Sequence, residues 1–293
     1  MNLQAQTINN LVDIWLNEDL GRGDLTVLTI KDQIVSAYWI AKQNGIFCGG
    51  PIVTQIFQRL NKNVEVQLKV KEGESFQNGQ VILHIKGPKS ALLSGERTSL
   101  NLAMHLSGIA TKTSTLVKEI EGTGIFLTDT RKTTPGLRLL EKYAIRCGGG
   151  INHRMGLDDA AMLKENHIAW SESIKQSIQD LRKCIPWTAK IIVEAETEKQ
   201  AEEAVKSGAD GVLLDEMTPK QLCEIVPKLR DLAKLSSTMR KSDHIILEAS
   251  GIKIKELRDY RNTGVDLIST SAPITQSPWI DFSMRFTNNN ENF

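Results

Sequence analysis

The spacing of apolar residues changes character near residue 125. Before that point the pattern is mixed. An amphipathic start leads into EDLGRGDLT (18–26), and AYWIAK (37–42), the alternating VEVQLKV (64–70) and VILHI (81–85) read as strands. From Lys89 to Ile120 the apolar positions Leu93, Leu100, Ala103 and Met104 share one helical face, and Gly108 predicts a break there into two helices. Beyond residue 125 short apolar runs alternate with helical stretches: IFLTDT, AAMLK, KIIVEA, GVLLDE, HIILEAS and DLISTS. That alternation predicts parallel βα units.

Each of the six runs ends in polar or charged residues: Asp129 to Lys132, Lys164, Glu194 with Glu196, Asp215 with Glu216, Glu248 with Ser250, and Ser269 to Ser271. In an α/β barrel chemistry sits at the carboxyl ends of the strands, so one shared site is expected. Six strands rather than eight fit, which predicts a smaller or open barrel. Thr218-Pro219 carries the start signal of a helix after the fourth run. LSSTMRKSD (235–243) reads as a surface loop and TNNNENF (287–293) as a polar tail.

Composition adds exclusions. The 293 residues are 40% hydrophobic and 24% charged, an ordinary globular balance, and 36 basic against 35 acidic residues leave a net charge of +1. No global field is available to capture nucleic acid or an anionic membrane, so neither is an expected partner. Cys48, Cys147, Cys184 and Cys223 lie far apart with no C-x-x-C pair, which points away from a zinc knuckle or a disulfide framework and toward a reducing, cytoplasmic setting. No targeting segment or apolar stretch of membrane-spanning length is read.

Locally the charge is uneven. Between Arg131 and Lys164 stand Arg131, Lys132, Arg138, Lys142, Arg146, His153, Arg154 and Lys164, offset only by Glu141, Asp158 and Asp159. Guanidinium forks bind carboxylates and phosphates through paired hydrogen bonds, so this cluster suits a small polyanion. Arg138, Lys142 and Arg146, spaced by four, read instead as a solvated helix face. Gly148 to Gly150 is either a close-approach anion loop or a connector. His153 and His167 have no second histidine or cysteine at ligand spacing, so zinc is not expected. Glu194, Glu196 and Asp215 are either isolated acids or an oxygen-rich patch suited to Mg²⁺ held with substrate phosphates. Walker, dinucleotide-binding and nucleophile-elbow motifs are absent from the sequence, which disfavours ATP use, dinucleotide binding and acyl hydrolysis.

SGERTSLNLAMHLSGIAT (94–111), DTRKTTPGLRLLEKYAIRCGGGINHRMGL (129–157) and KENHIA (164–169), with EDLGRGDLT, closely resemble the quinolinate phosphoribosyltransferase family, the decarboxylating nicotinate-nucleotide pyrophosphorylases, over almost the whole chain. The resemblance implies a six-stranded α/β barrel (121–272) with an N-terminal open α/β sandwich domain (1–120) completed by residues 273–293. It implies a cytoplasmic pentosyltransferase of NAD biosynthesis that joins quinolinate to phosphoribosyl pyrophosphate with Mg²⁺, working as a homodimer or a higher multiple of dimers. Arg131, Lys132, His153, Arg154 and Lys164 would surround the two carboxylates of quinolinate, with Arg97 reaching in from a neighbouring subunit. Glu194 and Asp215 would face the ribose and Mg²⁺, directly or through substrate and water, and would act as catalytic residues with Lys132. Ser250, Gly251 and Ser271 would hold the 5-phosphate.

The chain departs from the family pattern where E-V-E-V becomes Ile192-Val193-Glu194-Ala195, L-L-D-N becomes Leu213-Leu214-Asp215-Glu216, E-A-S-G-G-I becomes EASGI, and V-G-A-L-T-H-S becomes the stretch Thr270 to Ser277. Alternatives are a molybdenum-transport-associated relative that binds an oxyanion, and a nicotinate-using transferase without decarboxylation. The intact T-R-K-T-T-P-G block favours the enzyme, and the number of cations favours a diacid.

Overall fold

The computed structural model describes residues 5–235 and 245–287. The surface loop expected over 235–243 therefore lies almost wholly outside the described residues, as does the polar tail beyond Thr287. The chain begins with α1 (Ala5–Leu20), β1 (Ile34–Ala41), β2 (Gly45–Ile46), α2 (Gly50–Leu60), β3 (Glu65–Leu68), β4 (Ser75–Phe76), β5 (Val81–Pro88) and α3 (Lys89–Glu119). It continues through β6 (Phe126–Thr128), α4 (Arg138–Cys147), β7 (Ala161–Leu163), α5 (Glu165–Ala169), α6 (Ile174–Cys184), β8 (Ile191–Ala195) and α7 (Glu198–Lys206). The last elements are β9 (Gly211–Asp215), α8 (Pro219–Leu235), β10 (Ile246–Ser250), β11 (Leu267–Ser269), α9 (Ala272–Thr275) and β12 (Phe282–Phe286).

Two compact units result. The first comprises Met1–Ser114, Leu139–Gly149 and Gln276–Phe293, the second Thr115–Arg138 and Gly150–Thr275. This division differs from the one expected at residue 120, because α4 groups with the first unit rather than with the barrel. In α4 Leu140, Ala144 and Ile145 are buried, and Glu141 meets His105 of α3 at 2.9 Å.

The first unit is built on an antiparallel sheet in the order β12-β1-β5-β3. Trp39 stands opposite Leu83 on one side and Met284 on the other, so the C-terminal strand completes the sheet. Alternation along β1 buries Ala37, Trp39 and Ala41 on one face, where Phe47, Phe57, Phe76 and Phe282 fill the core. The helix α3 is continuous through Gly108, correcting the expected break. A Cβ at Gly108 would lie 2.2 Å from the Pro278 carbonyl oxygen, so the glycine serves close backbone approach rather than a helix end. Lys142 is another correction: it is fully buried, whereas Arg146 on the same helix is exposed.

The second unit holds a six-stranded parallel sheet in the order β6-β11-β10-β9-β8-β7. All six apolar runs form its strands. Ile151 adds a parallel bridge to Thr128 at the free edge of β6, giving an open barrel. Helix α8 starts as its Thr-Pro signal predicts, the Thr218 amide bonding to Gln221 Oε1 at 2.9 Å. Val193, Val212, Leu214, Leu247 and Ile268 are among the residues buried in this core.

Candidate active site

Because the six strands are parallel, their carboxyl ends share one edge, and strand order fixes what stands there. From β6 to β7 the edge carries Arg131 and Lys132, then Ser271, then Ser250 with Gly251, then Asp215, Glu194 and Lys164. Register sorts the same residues by depth, since partners across a parallel ladder point to the same face. One row reads Ile192, Gly211, Ile246; the next Glu194, Leu213, Glu248, Leu267; the next Asp215, Ser250.

A cavity of about 880 Å³ lies in this unit, reaching from Glu248 toward the amino ends of β8, β9 and β10, where Lys190, Asp210 and Ile246 line it. Gly211 leaves room in it, Thr128, Ile192, Glu248 and Leu267 line it, and the stretch Ile151 to Arg154 forms another wall. His153 and Arg154 thus face the cavity, whereas Arg131, Lys132, Lys164, Glu194, Asp215, Ser250, Gly251 and Ser271 are not among its walls and stand nearer the strand ends. Arg97 lies in the first unit, exposed on α3.

Asp129, fully buried, anchors the histidine stretch by accepting hydrogen bonds from Asn152 Nδ2 at 2.6 Å and the His153 amide at 3.0 Å. His153 Nε2 meets Glu248 Oε2 at 3.2 Å, and Arg154 Nη1 donates to the Ala160 carbonyl at 2.8 Å. The other Glu248 oxygen and the Thr128 hydroxyl are buried with no protein partner among the described residues. Asp129 and Glu248 were legible only as strand-end acids; their grip on His153 depends on contacts between remote segments.

Cations and carboxylates meet here. Burial, and then the charge of Arg131, hold the Arg154 guanidinium below the usual arginine range, with Asp159 and Glu194 pulling the other way. Two cations held close enough to repel one another make a receptor for an anion. On the other side the Glu196 carboxyl is pushed up, first by its hydrogen-bonding contact with Glu165 and then by the Glu165 charge, burial, and the charges of Asp215 and Glu194. Glu165, which opens α5, was not foreseen as part of this group. Lys164 forms an ion pair with Glu194 and so bridges the two clusters.

Gly251 has φ +70°, and a Cβ on it would lie 2.7 Å from Glu216 Cγ and 3.0 Å from the Glu216 amide nitrogen. Glu216 itself has φ 54° and donates its amide to the Ser250 carbonyl at 3.1 Å. The shortened EASGI turn is therefore packed against the end of β9. The earlier glycine run serves packing as well: a Cβ at Gly148 would lie 2.4 Å from the Ala110 carbonyl oxygen, and the run begins in the first unit.

Two family models cover nearly the whole chain. Residues 24–107 match the N-terminal domain of quinolinate phosphoribosyl transferase and residues 109–285 its C-terminal domain. The chain belongs to the quinolinate phosphoribosyl transferase family. Its relatives include a probable nicotinate-nucleotide pyrophosphorylase (carboxylating) of Synechocystis, 42% identical over 94% of this chain and 91% of that protein. Another, of Bacillus subtilis, is 41% identical over 97% and 95%. Among solved structures, the nicotinate-nucleotide pyrophosphorylase of Francisella tularensis superposes with a TM-score of 0.90 at 32% identity, covering 98% of each chain. The molybdenum-transport alternative finds no support in these relatives.

Proposed function

We propose that the chain transfers the phosphoribosyl group of phosphoribosyl pyrophosphate to the ring nitrogen of quinolinate and releases the C2 carboxylate as CO₂. The products are nicotinate mononucleotide, pyrophosphate and CO₂, and the reaction serves pyridine-nucleotide biosynthesis. The "carboxylating" name of the relatives describes the same equation read backwards. The observation that carries this reading is that the carboxyl ends of one parallel sheet bring cations and carboxylates together. Arg131, Lys132 and Lys164 stand on the same edge as Glu194 and Asp215, and Lys164 pairs with Glu194.

On this reading Arg131, Lys132, His153, Arg154 and Lys164 bind the two carboxylates and hold the pyridine nitrogen toward C1 of the ribose. Holding the reactants in line removes much of the entropic barrier. Loss of pyrophosphate leaves an oxocarbenium-like sugar, which the carboxylates of Glu194 and Asp215 stabilise electrostatically. Once the nitrogen is quaternised, its positive charge stabilises the electron pair that the departing carboxylate leaves on C2, and C2 then takes up a proton from solvent, so the substrate itself is the electron sink. Lys164 exchanges Glu194 for a substrate carboxylate as the site fills, and Ser250, Gly251 and Ser271 hold the 5-phosphate.

The acidic side fits Mg²⁺. Its donors are all carboxylate oxygens, and the raised Glu196 carboxyl marks mutual repulsion that a cation relieves. Glu194 and Asp215 would hold the ion, directly or through water and substrate, and when bound it supplies charge neutralisation for the departing pyrophosphate.

The reading includes a cytoplasmic homodimer, or a multiple of dimers, in which Arg97 serves the partner's site; family resemblance supports this, and no described helix is long and apolar enough to cross a membrane. Incubation with quinolinate, phosphoribosyl pyrophosphate and Mg²⁺ should give nicotinate mononucleotide, with nicotinate a far poorer acceptor. Equal use of both acids would refute the diacid reading.

A further inference from the structure

The first unit brings together three side chains that its sequence keeps far apart. Cys48 lies two residues before the helix α2, Glu72 follows β3, and Cys147 ends α4. Their ligating atoms, two thiol sulfurs and a carboxylate oxygen, all lie within 4.8 Å of one another, and all three residues belong to the first unit. Among the described residues no other group of three histidine, cysteine or acidic side chains is gathered this closely. We propose that Cys48, Glu72 and Cys147 form a binding site for a thiophilic divalent cation of the zinc type, separate from the substrate-binding edge of the parallel sheet.

The backbone is built to hold these segments together. Gly73 has φ +79°, and a Cβ there would lie 3.1 Å from the Cys147 carbonyl oxygen, so the Glu72 turn must approach the end of α4 closely. The Gly73 amide donates to the Phe47 carbonyl at 2.9 Å, tying the same turn to the Cys48 segment. Ser107 fixes Cys48 from the other side, accepting from its amide at 3.0 Å and donating to its carbonyl at 3.2 Å.

The chemistry is that of a soft site. Thiolates favour Zn²⁺ and Cd²⁺ over Mg²⁺ or Ca²⁺, and the carboxylate suits a divalent ion. Tetrahedral Zn–S bonds of about 2.3 Å separate two sulfurs by about 3.8 Å, so the two thiols need to close by at most about 1 Å. Water takes the fourth position, as in three-ligand zinc sites. A divalent ion, two thiolates and a carboxylate carry a net charge of −1. That charge is met by the start of α2, whose Gly49 and Gly50 amides already donate to Glu72 at 3.0 and 2.7 Å. Glu72 forms no ion pair among the described residues; beside the Gly49 and Gly50 amides its neighbours are the Cys147 thiol, at 3.8 Å, and the Tyr143 hydroxyl.

The test uses the full chain carrying Cys184→Ser and Cys223→Ser, which removes the two exposed thiols, under a phosphine reductant. Titration with Cd²⁺ should give one sulfur-to-metal charge-transfer equivalent per chain, displaced by Zn²⁺. Cys48→Ser or Cys147→Ser should each weaken binding by more than the roughly 10- to 100-fold that loss of a mere outer-shell partner costs. In the wild-type chain, Zn²⁺ should protect Cys147 from alkylation while leaving Cys184 and Cys223 reactive, a readout that needs no core substitution. No stoichiometric binding, or binding that survives loss of both cysteines, would overturn the proposal. A Cys48–Cys147 disulfide in aerated protein that takes up no metal when reduced would overturn it too, and would assign the pair to redox chemistry.

Discussion

Replacing Arg154 with alanine should separate substrate recognition from folding. The guanidinium is held below its usual range by burial and by Arg131, so a substrate carboxylate adds an opposite charge where a like one already stands. Two charge-assisted hydrogen bonds to a carboxylate are worth about 1.5–3 kcal/mol each. Relief of the repulsion from Arg131 offsets part of that, which leaves a net loss of about 3 kcal/mol, or roughly 150-fold in kcat/KM for quinolinate. Stability moves little. The variant loses the 2.8 Å bond to the Ala160 carbonyl, worth about 1 kcal/mol, but also removes a partly buried cation that Arg131 repels, so Tm should stay within about 4 °C of wild type. Steady-state kinetics with quinolinate varied, alongside a thermal melt, reads both. A loss below five-fold with an unchanged melt would refute the role of Arg154 as a carboxylate receptor.

Other outcomes follow from particular contacts. Because the folded Glu196 carboxyl is raised above its unfolded value, the folded chain loses stability as pH rises from the unfolded value of 4.5 through the raised one. Glu196→Gln should therefore raise Tm at pH 7–8 and lose that advantage near pH 4 (about the range of free carboxyls), and scanning fluorimetry across pH would show a flat difference if the Glu165 contact were absent. Gly108→Ala should cost about 1–3 kcal/mol in urea unfolding despite the better helix propensity of alanine, because the new Cβ meets the Pro278 carbonyl; a gain in stability would contradict the close approach. Asp129→Ala should cost about 2–5 kcal/mol by stranding the Asn152 and His153 donors, read by the same unfolding experiment. Arg97→Ala and Lys164→Ala homodimers should each be inactive, and mixing them with demonstrated subunit exchange should restore about a quarter of wild-type activity. A mixture that stays inactive would place Arg97 outside the partner's site.

The second unit was largely legible in the sequence because its signals are local. Each buried parallel strand is an unbroken apolar run, and its last residues mark the carboxyl edge of the sheet, so the placement of Lys164, Glu194 and Asp215 on that edge could be read in advance. What sequence missed depends on contacts between remote segments. Gly108 looks like a helix break until Pro278 is placed against it. Lys142 sits in a polar-looking face yet is fully buried. The helix α4 follows the strand β6 in sequence but joins the other unit. Spacing rules for metal ligands apply within one loop or helix and are silent about Cys48, Glu72 and Cys147, which three separate segments bring together. His153 was chosen for its charge, while the acids that hold it, Asp129 and Glu248, emerge only from the folded register.

The central claim is that ribosyl transfer and decarboxylation are one coupled reaction on a diacid. Quinolinate labelled in its C2 carboxylate, incubated with the protein, Mg²⁺ and phosphoribosyl pyrophosphate, should release labelled CO₂, nicotinate mononucleotide and pyrophosphate in equal amounts, and release none when phosphoribosyl pyrophosphate is withheld. CO₂ released without the ribosyl donor, or nicotinate mononucleotide formed with no labelled CO₂, would contradict it.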